Sequence, residues 1–196
     1  MVNDAPSPWN IANIVTMIRI AMVPFFAWAL LVDGGDDTTW RLVATAIFVV
    51  AAISDKVDGY LARSRGLITD LGKLLDPIAD KLLIGAALIL LWIPLGELPW
   101  WIPVVILVRE LGITFMRMGM LKYEVMPASR GGKLKTVLQA VAISLFLLPR
   151  EGLDWLTVIA WIVLLAAFVV TVVTGLEYAY QGWKIRRDAR AGASNP

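Results

Sequence analysis

Cysteine and histidine are both absent from this chain. Without cysteine there is no disulfide, no thiolate metal site and no thiol nucleophile. Without histidine the commonest general base is missing, and with it a common ligand of zinc, copper and iron. Any acid–base or metal chemistry therefore falls to carboxylates, whose oxygens suit hard cations such as magnesium, manganese or calcium. Charge is scarce as well. Only 17% of the residues are Asp, Glu, Lys or Arg, against about 25% in a typical soluble domain. The net charge of +2 is too small to point to nucleic acid. The first cation, Arg19, already lies inside an apolar run. The N-terminus thus lacks the basic region of a cleaved signal peptide.

What the chain has instead is apolar surface. Hydrophobic residues make up 59% of it, and the mean hydropathy is +0.72. Lipid is then the expected solvent for most of the surface. The pattern predicts an all-α integral membrane protein with six transmembrane helices. They run over about Ile11 to Val32, Trp40 to Ala62, Thr69 to Ile93, Trp100 to Leu121, Leu134 to Leu148 and Trp155 to Trp183. Residues 1–187 read as a single membrane domain, and residues 188–196 as a disordered tail. The sixth helix reads as lipid-facing packing.

Glycine, proline and acidic residues break the runs, as in Asp33-Gly34-Gly35-Asp36-Asp37, Pro94 to Pro99 and Pro149-Arg150-Glu151-Gly152. These three connections hold one cation, Arg150, if Arg41 is counted with its helix. The opposite connections hold Arg63, Arg65 and Lys73, then Lys122, Arg130, Lys133 and Lys135, and the tail adds Lys184, Arg186, Arg187 and Arg190. The positive-inside rule places that second side, and both termini, in the cytoplasm.

Four acidic residues stand where a membrane helix should have none. Asp55 and Asp58 are three apart, on one face of the second helix. Asp76 and Asp80 are four apart, on one face of the third. The joining loop is short, so both pairs fall at the cytoplasmic ends of antiparallel neighbours and can converge. Four anions in a low-dielectric bundle repel and are costly to desolvate. One or two divalent cations would neutralise them, and magnesium, which pairs with substrate phosphates, suits the oxygen ligands best. Gly59 and Ala62 form a shallow notch where a base or phosphate could approach the backbone. Arg63 lies one turn beyond Gly59 and could clamp a phosphate. Gly72 lets the third helix approach the second closely.

These residues resemble the signature of the CDP-alcohol phosphotransferase family. That signature is Asp-x2-Asp-Gly-x2-Ala-Arg, eight residues, then Gly-x3-Asp-x3-Asp, and Asp55, Asp58, Gly59, Ala62, Arg63, Gly72, Asp76 and Asp80 fill every fixed position. The resemblance implies a homodimer whose six-helix fold encloses a polar cytoplasmic-side cavity. It implies that Asp55, Asp58, Asp76 and Asp80 hold two Mg2+ ions, with Mn2+ as the other choice, and that Asp80 is also the general base. It implies that Gly59, Arg63 and Thr69 contact the CDP part of CDP-diacylglycerol.

The first span opens Asn10-x2-Asn13-x2-Thr16-x2-Arg19. This is similar to the opening of bacterial phosphatidylglycerophosphate synthases and the related cardiolipin synthases. Asn13, Thr16 and Arg19 share a helix face that either meets the donor or hydrogen-bonds between helices, with Arg19 snorkelled. Asn13, Thr16, Gly59, Ala62, Arg63, Thr69 and Gly72 make up the expected donor site. On the fourth and fifth helices, Arg109, Arg117, Lys133 and Lys135 could form a pocket for an anionic acceptor. The plainer alternatives are that Arg109 pairs with Glu110 and that Lys133 is only a topology signal. The Arg-Glu pair and Gly132-Lys133-x-Lys135-Thr136 resemble the glycerol-3-phosphate-using synthases of the family. The expected product is phosphatidylglycerophosphate, with CMP released. A cardiolipin or phosphatidylinositol-phosphate synthase is the alternative within the class. A divalent-cation transporter is the alternative outside it, because acidic clusters in membranes also mark ion pathways.

Overall fold

The computed structural model describes residues 10–64, 69–120 and 130–193. The described residues form helices α1 (Ile11–Leu31), α2 (Thr38–Ser64), α3 (Asp70–Trp92), α4 (Trp101–Met120), α5 (Arg130–Leu147) and α6 (Asp154–Ala193), with no strand among them. All six expected helices are present. Two bounds differ by a full turn or more. α5 begins at Arg130, because Gly131 and Gly132 are taken into its first turn. α6 continues past Trp183 to Ala193, into the segment expected to be disordered. Arg and Ala in that stretch are strong helix formers, so the helix outlasts its apolar part.

Local chemistry sets the ends. Asn10 caps α1, its side-chain oxygen accepting from Asn13 N–H at 3.0 Å. Thr69 caps α3, its Oγ1 accepting from Gly72 N–H at 3.1 Å. Between α1 and α2 the chain reverses through a 3-10 turn, Val32–Gly35, with Asp33 at φ 51° and Gly35 at φ 92°. Gly35 is favoured by its left-handed φ, and a Cβ there would also force the Leu95 side chain to move.

Among the described residues, three helices are long and apolar enough to cross a membrane by length and composition: Asn13–Gly35, Thr38–Asp55 and Asp154–Ile185. These apolar helices mark a membrane protein. The other three carry more charge: Asp76, Asp80 and Lys81 in α3, Arg109, Glu110 and Arg117 in α4, and Arg130, Lys133 and Lys135 in α5.

The interior is divided along the helix axes. One half is apolar and built from Phe26, Phe48, Leu88, Leu91, Ile102, Ile106, Ile143, Phe146 and Leu164, all buried. The other half holds the buried polar residues Asn13, Thr16, Arg19, Lys135, Gln139, Thr171 and Thr174. Direction along the chain alternates accordingly. α1 and α5 enter polar and leave apolar, whereas α6 enters apolar and turns polar at Thr171. The helices therefore run up and down, with one polar end shared by all.

A salt-bridge clasp closes the apolar end. Arg41 of α2 donates to Glu97 Oε1 at 2.5 Å, and Arg150 donates to Glu97 Oε2. Arg41 also donates to the backbone carbonyls of Gly35, Phe146 and Leu147. The two cations on the otherwise acidic side are thus bound to one acid. They tie the connections between α1 and α2, α3 and α4, and α5 and α6 together.

Candidate active site

α1 is the helix around which the acidic site is assembled, since it packs against both α2 and α3. Its residues Asn13, Thr16 and Arg19 recur at three-residue spacing and all are buried. Asn13 Nδ2 donates to Thr69 Oγ1 at 2.7 Å. A Cβ on Gly72 would stand 2.6 Å from Asn13 Oδ1. Glycine at that position is what allows α3 to seat its first turn on α1. Arg19 is only 1% exposed, and its Nη1 donates to Asp55 Oδ1 at 2.5 Å. A buried arginine needs such a partner, because an uncompensated charge in this interior is strongly unfavourable.

Asp55 and Asp80 border one cavity of about 300 Å³, together with Arg19 and Thr136. Its remaining wall is apolar and includes Val49, Ala52, Leu83, Ile84 and Ala140. Low-dielectric walls raise the strength of every charge interaction inside. Oxygen-only, anionic donors in such a place fit a hard divalent cation. Arg19 offsets the charge of Asp55 in part, leaving the site anionic.

A basic cluster lies behind Asp80. Glu110 Oε1 accepts from Arg109 Nη1 at 3.1 Å and from Lys135 Nζ. Two cations thus share one anion. α3 and α5, which carry Asp80 and Lys135, pack against each other, and Thr136, next to Lys135, lines the cavity with Asp80. The acidic and basic clusters are therefore neighbours. α6 completes the basic one. Arg109 Nε donates to the Thr171 carbonyl at 3.1 Å and Nη2 to Thr174 Oγ1 at 2.8 Å. Gln139 Nε2, one turn past Lys135, donates to Thr171 Oγ1 at 2.9 Å.

Of the expected site residues, Asp55 and Asp80 meet at the cavity, Asn13, Thr69 and Gly72 meet one another, and Arg109 and Lys135 meet through Glu110. Thr16 is buried on the same face of α1 as Asn13. Lys133 is exposed. Two residues from Lys135 on a helix, it turns to a different face. Asp58, Gly59, Ala62, Arg63, Asp76 and Arg117 fall on α2, α3 and α4, and beyond that helix position they lie outside the described residues. Sequence reasoning missed two contributors. It placed Arg19 on one face with Asn13 and Thr16, toward the donor or snorkelled, and did not foresee its ion pair with Asp55. It also read α6 as lipid-facing packing, although Thr171, Thr174, Gly175 and Tyr178 recur at one helix face within an apolar run.

An acidic cluster beside a basic one, set at the polar end of an apolar bundle, marks a chemical site in a membrane protein rather than a packing core. The family model described as CDP-alcohol phosphatidyltransferase matches residues 9–173, and the chain belongs to that family. It is accordingly a transferase, not a cation transporter. The chain is 53% identical over 169 residues to a probable phosphatidylglycerophosphate synthase of Mycobacterium tuberculosis, covering 86% of this chain and 79% of that one. It is 36% identical to the CDP-diacylglycerol–glycerol-3-phosphate 3-phosphatidyltransferase of Bacillus subtilis, covering 90% and 96%. The enzyme of the same description from Rickettsia felis is also 36% identical, covering 86% and 93%. CDP-alcohol phosphotransferases generally use divalent metal ions, and the carboxylates at the cavity fit one.

Proposed function

We propose that this chain transfers the phosphatidyl group of CDP-diacylglycerol to glycerol-3-phosphate, forming phosphatidylglycerophosphate and releasing CMP. The relatives' descriptions support the reaction. The observation that carries the choice of acceptor is the pair of a half-buried Arg109 and a buried Lys135, held together over Glu110 near Asp80. Two cations on one anion leave a positive charge, which suits an acceptor that carries its own phosphate.

In this reading Asp80 takes the proton of the acceptor hydroxyl. The oxygen attacks the β-phosphorus of the donor as the bond to CMP breaks, so the proton ends on Asp80 and the electron pair on the CMP phosphate. Asp55, Asp58, Asp76 and Asp80 would hold the divalent cations, two of them and Mg2+ by preference over Mn2+. Such ions supply neutralisation of the pyrophosphate charge. Arg19 keeps Asp55 directed at the cavity. Gly59, Ala62 and Arg63 on α2, with Asn13, Thr16, Thr69 and Gly72 around the start of α3, receive the CDP part of the donor. Arg109 and Lys135, with Arg117 of the same helix as Arg109, receive the acceptor phosphate, and Lys133, exposed on another face of α5, is left out of the pocket.

The same reading makes all six helices transmembrane. The charges that set α3, α4 and α5 apart from ordinary spans are those of the site itself. Among them Asp80, Arg109, Glu110 and Lys135 are at least partly buried, toward the end that cytoplasmic water and soluble substrate would reach. Both termini then lie in the cytoplasm, and the enzyme is a multi-pass protein of the cell membrane that works as a homodimer on its cytoplasmic face.

The test is CMP release by purified protein given CDP-diacylglycerol and Mg2+, with glycerol-3-phosphate, phosphatidylglycerol, inositol-phosphate and serine supplied in parallel. Release with glycerol-3-phosphate alone is expected. Release with another acceptor instead would overturn the reading of the basic pair. Lys135→Ala should raise KM for glycerol-3-phosphate by about tenfold or more, the scale of one lost charged hydrogen bond. KM for the donor should stay as it was. An unchanged acceptor KM would remove Lys135 from the pocket.

A further inference from the structure

The Arg109 side chain is long, and left free it would sample many rotamers. Ordering it at the moment of binding would weaken the capture of a phosphate. In the structure it is ordered beforehand, chiefly from α6. Its Nε donates to the Thr171 carbonyl at 3.1 Å, and its Nη2 donates to Thr174 Oγ1 at 2.8 Å. The guanidinium carbon lies 5.9 Å from the centre of the Tyr178 ring. Gly175 supplies the floor. A Cβ there would stand 3.0 Å from Arg109 Cγ and 3.3 Å from Nε. These four α6 residues follow at spacings of three, one and three, and so share one helix face. Thr171 also accepts from Gln139 at 2.9 Å, which fixes α5 one turn from Lys135. Glu110 takes one N–H of Nη1 at 3.1 Å. A guanidinium has five N–H donors. The three contacts leave one on each terminal nitrogen, a fork of the kind that binds phosphate in two places.

We infer that the Thr171, Thr174, Gly175 and Tyr178 face of α6 is a specificity-determining element of the enzyme, which positions Arg109 for the phosphate of the acceptor. This rests on the reading of Arg109 as an acceptor-phosphate ligand under the proposed function. Thr174 and Gly175 are positioning residues, since they act through Arg109.

The experiment measures KM for glycerol-3-phosphate, KM for CDP-diacylglycerol, kcat and the melting temperature for Arg109→Gln, Thr174→Val, Thr174→Ser and Gly175→Ala. Valine keeps the shape of threonine and removes its hydroxyl. Thr174→Val should raise the acceptor KM about five- to tenfold, with kcat and the donor KM within about twofold of wild type. Thr174→Ser should restore it, because the hydroxyl returns. Gly175→Ala should raise the acceptor KM in the same direction by displacing the guanidinium. If Arg109→Gln raises the acceptor KM and Thr174→Val does not, the inference is overturned while the phosphate pocket stands. If Arg109→Gln leaves the acceptor KM unchanged, the reading of the pocket falls and the inference falls with it. If Thr174→Val changes both KM values and lowers the melting temperature, and Thr174→Ser does not restore the acceptor KM, the face is merely structural and the inference is overturned.

Discussion

Asp80→Asn is expected to reduce CMP release by about a thousandfold or more while the protein keeps its fold. The substitution changes one atom of the side chain and keeps its size. It removes both the capacity to accept a proton and a negative charge from the cavity. Loss of a positioned general base alone costs about 10²- to 10⁴-fold. Loss of an anionic ligand beside Asp55 adds to that by weakening cation binding. Asp80 borders the cavity together with Arg19 and Asp55, so no distant rearrangement is needed to account for the loss. Donor binding should survive in part, because the residues proposed to meet the CDP group lie on α1, α2 and the start of α3. Single-turnover CMP release and equilibrium binding of a CDP nucleotide, measured on the same preparation, separate the two. An Asp80→Asn enzyme with near-normal turnover would sink the assignment of the base. A variant that binds no nucleotide would shift the role of Asp80 from proton transfer to donor capture.

The comparison of Asp80 with Arg19 shows how far the sequence could be read. The acidic residues were conspicuous because charge is rare in an apolar helix, and their spacings of three and four fix one face of each helix. Spacing within a helix says nothing about which helix stands opposite. The short connection between α2 and α3 suggested that these two meet directly, whereas α1 packs against both and delivers Arg19 to Asp55. That position depends on long-range packing, which no local pattern encodes. The basic residues were similarly legible as a set but not as an arrangement. Arg109 and Lys135 meet because Glu110 lies between them, while Lys133 faces elsewhere. The clearest failure was α6. Its threonines and glycine are small enough to pass for ordinary membrane packing, and their meaning depends on an arginine from another helix lying against them. Hydropathy had the converse limit. The six helices were found, yet α3, α4 and α5 carry more charge than ordinary membrane-crossing helices, and part of that charge, Asp80, Arg109, Glu110 and Lys135, gathers at the polar end.

At the far end of the bundle, Glu97→Gln is expected to destabilise the protein by about 3 kcal/mol, the lower end of what removing one partner from a buried ion pair costs, since the side chains here are only partly buried. For a chain of this length that is on the order of 10 °C in melting temperature. Glu97 accepts from Arg41 and Arg150 at once, and the three side chains are only 12–17% exposed. The two arginines do not depend on it equally. Arg41 retains the carbonyls of Gly35, Phe146 and Leu147, two of which are at the last turn of α5, where a cation is favoured. Arg150 retains the Phe146 ring, 4.7 Å from its guanidinium carbon, and its buried Nε has no hydrogen-bond partner. Burial holds the Arg150 guanidinium below the ordinary arginine range, and Glu97 is the largest influence pulling it back. Most of the loss should therefore come from Arg150 left charged and uncompensated. The double variant Glu97→Gln with Arg150→Met removes that charge and should recover a large part of the melting temperature, although it has one interaction fewer than the single variant. Turnover at low temperature should be near wild type in both, because the clasp lies at the opposite end of the helices from Asp80. If the double variant melts below Glu97→Gln alone, the stabilisation comes from the arginine contacts themselves, and the uncompensated-charge account is wrong. If Glu97→Gln melts like wild type, water already reaches these side chains and the clasp contributes little.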